Sequence, residues 1–189
     1  MAEVCVFLAD GFEEIEGLTV VDLLRRAEIS TVMVGIQGKR EITGSHHIQV
    51  QADMLLEELN TEDTQLLVLP GGMPGTVNLG SCQQLTDLLQ KWNSQGKRIG
   101  AICAAPSVLG NLGILKGKKA VCYPGFEDKL LGAEVLMERV VTDQNVTTSR
   151  GMGTAIPFGL ELISLLRGTE TAEKIRNSII YGHKTWNKC

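Results

Sequence analysis

The sequence predicts an α/β protein with a mostly parallel sheet that is covered by helices on both faces. Continuous apolar runs, such as residues 4–9 and 66–69, are typical of strands that are buried on both faces. Helical patterns alternate with these runs along the chain, as expected for β-α-β units. The length of 189 residues suits one domain, and we expect a single domain over residues 1–189.

In the first half of the chain, each predicted strand is followed by a turn or a helix. After the strand at residues 4–9, acidic residues open a helix that ends near Ala27, with an apolar stripe of Val20, Leu23 and Leu24. The other predicted elements are a strand at 31–36, small strands between 41 and 51, a strand at 66–69 and a helix at 82–95.

In the second half, the strongest patterns are a strand that ends at Cys103 and an apolar helix near the C-terminus. The elements predicted here are a helix at 107–112, a strand at 118–122, a strand pair at 140–142 and 146–149, and helices at 154–166 and 171–180. The helix at 154–166 is apolar nearly all round, so it must be covered on more than one side.

Composition and charge exclude several classes of protein. The net charge is -4 with both signs interspersed, which does not suit a nucleic-acid binder. Apolar runs are too short to span a bilayer, and an acid stands near the N-terminus where a signal peptide carries positive charge. The five cysteines are an odd number without close spacing, so neither zinc nor a disulfide framework is expected. We therefore expect a cytoplasmic protein that does not bind membranes.

Cys103 is the first candidate for a reactive group. It ends an apolar run, and small residues and Pro106 follow it, which suits a sharp strand-to-helix turn. The N-terminus of the next helix would favour the thiolate form of its side chain. The alternative from the local pattern is a small buried hydrophobic residue at the end of a strand.

Glu16 is the second candidate, because it falls on the apolar stripe of the first helix. A carboxyl group in that position is a candidate for a partly buried acid with a raised pKa. The alternative is a first-turn glutamate whose carboxylate bends out to water, and the pattern alone slightly favours it.

Two further segments are candidates for ligand contact. Gly71 and Gly72 follow a strand and suit either an oxyanion-binding turn or a plain tight turn, but the segment is not a nucleotide-binding loop. His46 and His47 are adjacent, yet the sequence offers no third ligand at useful spacing. We therefore expect no metal.

Four motifs resemble those of the ThiJ/PfpI superfamily, most closely its parkinsonism-associated (DJ-one) branch. They are DGFEEIE at 10–16, LPGG at 69–72, AICAAP at 101–106 and TSRGMGT at 148–154. The resemblance covers nearly the whole chain and implies a flavodoxin-like sandwich, as in class I glutamine amidotransferases, that is usually dimeric. It implies that Cys103 is the nucleophile, that Glu16 is a protonated acid bonded to its sulfur, and that the N–H groups of Gly72 and Ala104 stabilise an oxyanion.

The sequence departs from some branches of this superfamily. Animal members place a histidine near the thiol, whereas this sequence has Tyr123 at that position, and many bacterial relatives also have a tyrosine there. A Cys-His-Glu triad is therefore not assumed. Ala104 stands where the protease-like branch has a histidine, which argues against a protease or an amidotransferase. His46 is the best substitute histidine, because the matching stretch in relatives reaches towards the site of the partner subunit.

The resemblance and the residues lead to two hypotheses about function. In the first, the protein is a cofactor-independent enzyme that acts on small reactive aldehydes, as a glyoxalase III-type enzyme or a deglycase, with Cys103 and Glu16 as catalytic residues. Tyr123, Gly71 and Met73 would then position the substrate. In the second, the protein is an oxidative-stress sensor or chaperone in which Cys103 is reversibly oxidised. A homodimer is expected in both cases, because Leu18 lies away from the main core stripe of its helix.

Overall fold

Eleven strands are present in the computed structural model, which describes residues 2–182. In chain order they are β1 (Val4–Leu8), β2 (Thr31–Gly35), β3 (Glu41–Thr43), β4 (Gln49–Gln51), β5 (Met54–Leu55), β6 (Leu66–Leu69), β7 (Arg98–Ile102), β8 (Lys119–Ala120), β9 (Glu134–Val135), β10 (Val140–Asp143) and β11 (Val146–Ser149). The α-helices of these residues are α1 (Glu14–Arg26), α2 (Gly75–Ser81), α3 (Gln83–Ser94), α4 (Pro106–Asn111), α5 (Ala155–Arg167) and α6 (Thr169–Ser178).

Seven of the strands form one sheet in the order β10-β11-β7-β6-β1-β2-β5. Every neighbouring pair is parallel except β10 and β11, which form an antiparallel pair at one edge. The predicted α/β class with a mostly parallel sheet is therefore confirmed. The strands β3 and β4 form a separate antiparallel hairpin beyond the sheet, as the alternating pattern between residues 41 and 51 indicated.

The central strand β1 shows why the apolar runs are continuous. Its alternate residues Val4 and Val6 pack in one hydrophobic core with α1 and α5, while Cys5 and Phe7 pack in the other with α3 and α4. All five residues of β1 are fully buried. A strand that contributes to two cores cannot carry the alternating polar residues of a sheet that faces water on one side.

Some elements differ from the sequence prediction, which did not include the short strands β5 and β9. The strand expected at 118–122 is reduced to β8, which pairs with β9 outside the main sheet. The helix α2 was not predicted, because its sequence GTVNLGS contains two glycines and two β-branched residues that disfavour helix. Among the described residues, no helix is both long and apolar enough to cross a membrane.

Candidate active site

Cys103 lies on the sharp turn between β7 and α4, at the carboxyl edge of the sheet. Its φ angle is 66°, a left-handed conformation that is uncommon for a residue with a side chain. Its N–H donates to the carbonyl of Ser149 at 2.9 Å, which ties the turn to the end of β11. Pro106 is the first residue of α4. The predicted strand-to-helix turn is confirmed, and the thiol is only half-buried.

Gly71 lies between Cys103 and Glu16. Its N–H donates to Oε2 of Glu16 at 2.9 Å. A Cβ atom added to this glycine would lie 2.5 Å from Cβ of Cys103 and 2.6 Å from Oε2 of Glu16. The close approach of the three residues therefore requires a glycine here, and it places the carboxyl group beside the thiol.

Glu16 is buried, with 1% of its surface exposed. Burial raises the pKa of its carboxyl group to about 7, and the negative charge of Glu13 acts in the same direction. The N–H of Gly71 and the thiol of Cys103 lower the pKa by a smaller amount. The expectation of a buried acid with a raised pKa is confirmed, and the alternative with the carboxylate in water is wrong. Its Oε1 has no hydrogen-bond partner among the described residues.

The thiol of Cys103 does not behave as its position before α4 predicted. Burial raises its pKa to about 12, and the charge of an ionised Glu16 also raises it, against the backbone N–H groups of Ala104 and Gly72. The N–H of Ala104, before α4, acts in the predicted direction, but burial and Glu16 outweigh it, so the expected net preference for the thiolate is wrong. When Glu16 holds a proton, its charge no longer opposes the thiolate, so the titrations of the two groups are coupled.

Tyr123 and Met73 lie at the rim of this site. The N–H of Tyr123 donates to the carbonyl of Cys103 at 2.8 Å, and 50% of the residue is exposed. Tyr123 also lines a cavity of about 280 Å³ with Arg150, Met152 and other residues of the loop after β11. Met73 follows the glycine turn and is 51% exposed. Both side chains are accessible from solvent, and their roles in positioning a substrate stay predictions.

His46 lies on the β3-β4 hairpin and contacts the start of α1. Its Nδ1 lies 3.1 Å from Oε2 of Glu14 and 3.5 Å from Oε2 of Glu13. The hydrogen bond to Glu14 and the two negative charges raise the pKa of the His46 ring. The spacing of the sequence offered no third ligand beside His46, but the fold brings two carboxylates to it. A role for His46 in the site of a partner subunit stays a prediction.

The end of β11 and the loop after it contribute residues to which the sequence assigned no role. Thr148 accepts a hydrogen bond from the N–H of Val121 at 2.9 Å, which holds the segment before Tyr123. Ser149 contacts the hydroxyl of Thr154 at 2.7 Å and closes the loop. A Cβ atom added to Gly151 would lie 3.8 Å from Oε1 of Glu16 and 3.2 Å from the Tyr123 ring. The TSRGMGT motif was the only signal in the sequence for these contacts.

The other cysteines that the structure describes lie outside this site. Burial raises the pKa of Cys5, and it raises the pKa of Cys122 to about 11. Cys82 is partly buried at the start of α3. Cys189 belongs to a polar stretch of sequence, which suggests that it competes for thiol reagents through exposure, and it lies outside the described residues.

Comparisons with known proteins agree with the motifs. Residues 2–165 match the profile described as the DJ-1/PfpI family. Protein DJ-1 homolog A of Arabidopsis thaliana is 39% identical over 171 residues, which is 90% of this chain but 44% of that protein. The chain thus spans less than half of that relative's length. A protein of Pyrococcus abyssi that is named a deglycase is 33% identical over 167 residues, which is 87% of this chain and 99% of that protein.

Solved structures show the same fold. The structure of Toxoplasma gondii DJ-1 in an oxidised form has a TM-score of 0.92 and 36% sequence identity to this chain. The similarity covers 97% of this chain and all of the other.

Proposed function

The chain belongs to the DJ-1/PfpI family, and we propose that it is a cofactor-independent enzyme that converts small reactive aldehydes, such as methylglyoxal, to 2-hydroxy acids. The placement of the Cys103 thiol and the buried Glu16 carboxyl group on either side of Gly71 carries this proposal. A nucleophile and a proton carrier in contact, at a solvent-accessible edge of the sheet, suit covalent catalysis on a carbonyl.

The first step forms a bond between the Cys103 sulfur and the aldehyde carbon. The thiol proton passes to Glu16 or to the new oxygen, and the product is a hemithioacetal. The N–H groups of Gly72 and Ala104 already act on the sulfur, as their effect on its pKa indicates. The same groups would donate to the oxygen that becomes negative when the carbonyl is attacked.

The second step moves a proton between the two carbons that carry oxygen. Glu16 removes the proton from the former aldehyde carbon and returns it to the neighbouring carbon, so that an enediol becomes a 2-hydroxyacyl thioester. A carboxyl group with a pKa of about 7 suits this exchange, because it accepts and gives a proton with similar ease near neutral pH. Water then cleaves the thioester and releases lactate and the Cys103 thiol, so no oxidant or reductant is needed.

Deglycation is a variant of this chemistry, and the name of the Pyrococcus relative supports it. In that variant the Cys103 sulfur bonds to the hemiaminal carbon of the glycated group, the C–N bond breaks, and the amine leaves with the thiol proton. The product is the same hemithioacetal, on which Glu16 keeps its role. Both reactions require the thiol and the carboxyl group together.

Lactate formation from methylglyoxal by the purified protein without glutathione tests the proposal. We expect turnover by the wild type and none by Cys103→Ser or Glu16→Gln, both with unchanged circular dichroism. Cys82→Ser is the matched control, because Cys82 lies outside the site, and it should keep full turnover. Equal lactate formation by Cys103→Ser would contradict the enzymatic role.

A second function, redox sensing, is supported by the oxidised form of the Toxoplasma relative and by the half-exposed thiol of Cys103. Peroxide would oxidise the thiolate to sulfenic and then sulfinic acid, with water as the other product. Limiting peroxide followed by mass spectrometry tests it. We expect Cys103 to oxidise before Cys5, Cys82, Cys122 and Cys189, and preferential oxidation of another cysteine would contradict this function.

A further inference from the structure

Four polar atoms meet where the β3-β4 hairpin lies on the start of α1. They are Oε2 of Glu13, Oε2 of Glu14, Oγ of Ser45 and Nδ1 of His46. The hydroxyl of Ser45 lies 3.2 Å from each carboxylate oxygen and 3.0 Å from the imidazole nitrogen. That nitrogen lies 3.1 Å from Oε2 of Glu14 and 3.5 Å from Oε2 of Glu13.

These separations match the edges of a metal coordination tetrahedron. Oxygen and nitrogen ligands at about 2.0–2.1 Å from a tetrahedral zinc ion are about 3.3 Å apart. Five of the six edges between the four atoms fall between 3.0 and 3.5 Å. The sixth edge joins the two carboxylates, which are within 4.8 Å of each other.

The close contacts among the four atoms outnumber the protons that these atoms can share. Ser45 and Nδ1 of His46 can supply one proton each, while five close contacts join the four atoms. Two carboxylates converge on the same point. A cation at the centre would replace contacts that lack a proton and would balance the two negative charges.

Glu14 is held in place for such a role by its other oxygen. Oε1 of Glu14 accepts the N–H of His46 at 2.8 Å and that of Ile48 at 3.4 Å, which directs Oε2 into the cluster. Gly44 permits this arrangement, because a Cβ atom there would collide with the Glu14 carboxyl group. Outer contacts of this kind orient metal ligands and strengthen binding.

The cluster is also open to entry from solvent. The His46 side chain is 70% exposed, whereas the side chains of Glu13 and Glu14 are 15% and 5% exposed. An ion would reach two largely buried carboxylates beside an exposed imidazole. This combination provides the entry path that a metal site needs.

We propose that Glu13, Glu14, Ser45 and His46 form a binding site for a divalent transition-metal ion, and that zinc is the ion it takes. Two carboxylates and one imidazole are ligands that zinc binds readily, and the five measured edges are close to those around a tetrahedral zinc ion. His46 would bind through Nδ1 and carry its proton on Nε2. The site is separate from the thiol chemistry of Cys103 and revises the expectation of no metal.

Isothermal titration of the metal-free protein with zinc chloride tests the proposal, with cobalt as a spectroscopic probe. We expect one zinc per chain at this site and intense visible absorption from tetrahedral cobalt, without a sulfur-to-cobalt band. His46→Asn should weaken zinc binding by more than about 100-fold, since even outer-shell changes cost 10- to 100-fold.

His47→Asn is the matched control. His47 is the exposed neighbour with a φ of 64°, a conformation that asparagine also tolerates, and this variant should bind zinc as the wild type does. Cys103→Ser should also retain the ion. Zinc should raise the melting temperature of the wild type and His47→Asn but not of His46→Asn or Glu13→Gln. Loss of binding with Cys103→Ser, equal binding by His46→Asn, or no binding by the wild type would each overturn the proposal.

Discussion

Glu16 occupies a buried position in which an ionised carboxylate is costly. Because its pKa is about 7 in the folded protein and 4.5 without the fold, the folded state keeps a proton that the unfolded chain loses first as pH rises. The free energy of unfolding should therefore fall by about 3 kcal/mol between about pH 4.5 and about pH 7. Above that range it should level off.

Urea unfolding at a series of pH values measures this effect. The free energy of unfolding of Glu16→Gln should not fall over this pH range. As pH rises, the variant should therefore gain stability relative to the wild type. Glu41→Gln, at an exposed carboxylate of β3, serves as the control and should keep the wild-type slope. A wild-type slope in Glu16→Gln would show that Glu16 does not hold the proton.

Tyr123 and His46 differ in how they relate to the thiol. Tyr123 bonds to the Cys103 backbone, whereas His46 bonds to carboxylates at the start of α1. Tyr123→Phe removes one hydroxyl and should lower lactate turnover by about two- to tenfold, the range of a single hydrogen bond.

His46→Ala should change lactate turnover little. If His46→Ala is as damaging as Cys103→Ser, the mechanism uses a histidine and our assignment of Glu16 as the sole proton carrier is wrong.

At the scale of elements, β11 holds the segment that carries Tyr123. The hydroxyl of Thr148 accepts the buried N–H of Val121, so Thr148→Val should leave that N–H without a partner. We expect a loss of about 1–3 kcal/mol in the free energy of unfolding, measured in urea. Thr147→Val on the same strand should lower the free energy of unfolding by less. The hydroxyl of Thr142, which contacts that of Thr147, also bonds to Glu161 and so keeps a partner in this variant. Equal losses would contradict the assigned anchor.

The same scale shows what the sequence could predict. Long apolar runs located β1, β6 and β7, and the apolar stripe of α1 identified Glu16, because these signals repeat over neighbouring residues. The helix α2 and the contact of His46 with Glu14 were missed. Glycines weaken the helical signal of α2, and the His46 contact joins residues that are 32 positions apart. Local periodicity carries no information about contacts of that range.

For the whole molecule, we predict a homodimer. A groove between α1, α5 and the end of α6 has apolar and polar lining residues, and Ile180 there is 62% exposed. The lining residues are Leu18, Thr19, Asp22, Leu23, Arg26, Ile156, Ser178, Ile179 and Ile180. Exposed apolar side chains bordered by polar ones suit a partner surface. Light scattering at micromolar concentration should give twice the chain mass, and Leu18→Lys should shift it towards the monomer. Met137→Lys, at an exposed residue elsewhere, should not. A monomer mass for the wild type would contradict the prediction.

The site draws its groups from the segments that follow β1, β6, β7 and β11, which lie far apart along the chain. When only β1 and β2 have paired, the helix that carries Glu16 can already be present. The turns that carry Gly71 and Cys103 have not yet come to lie beside Glu16. Such distant pairings carry a large loop-closure cost and tend to form late in folding. The coupled proton of Glu16 and Cys103 is thus a property of the completed sheet, and a partly folded chain presents an ordinary thiol.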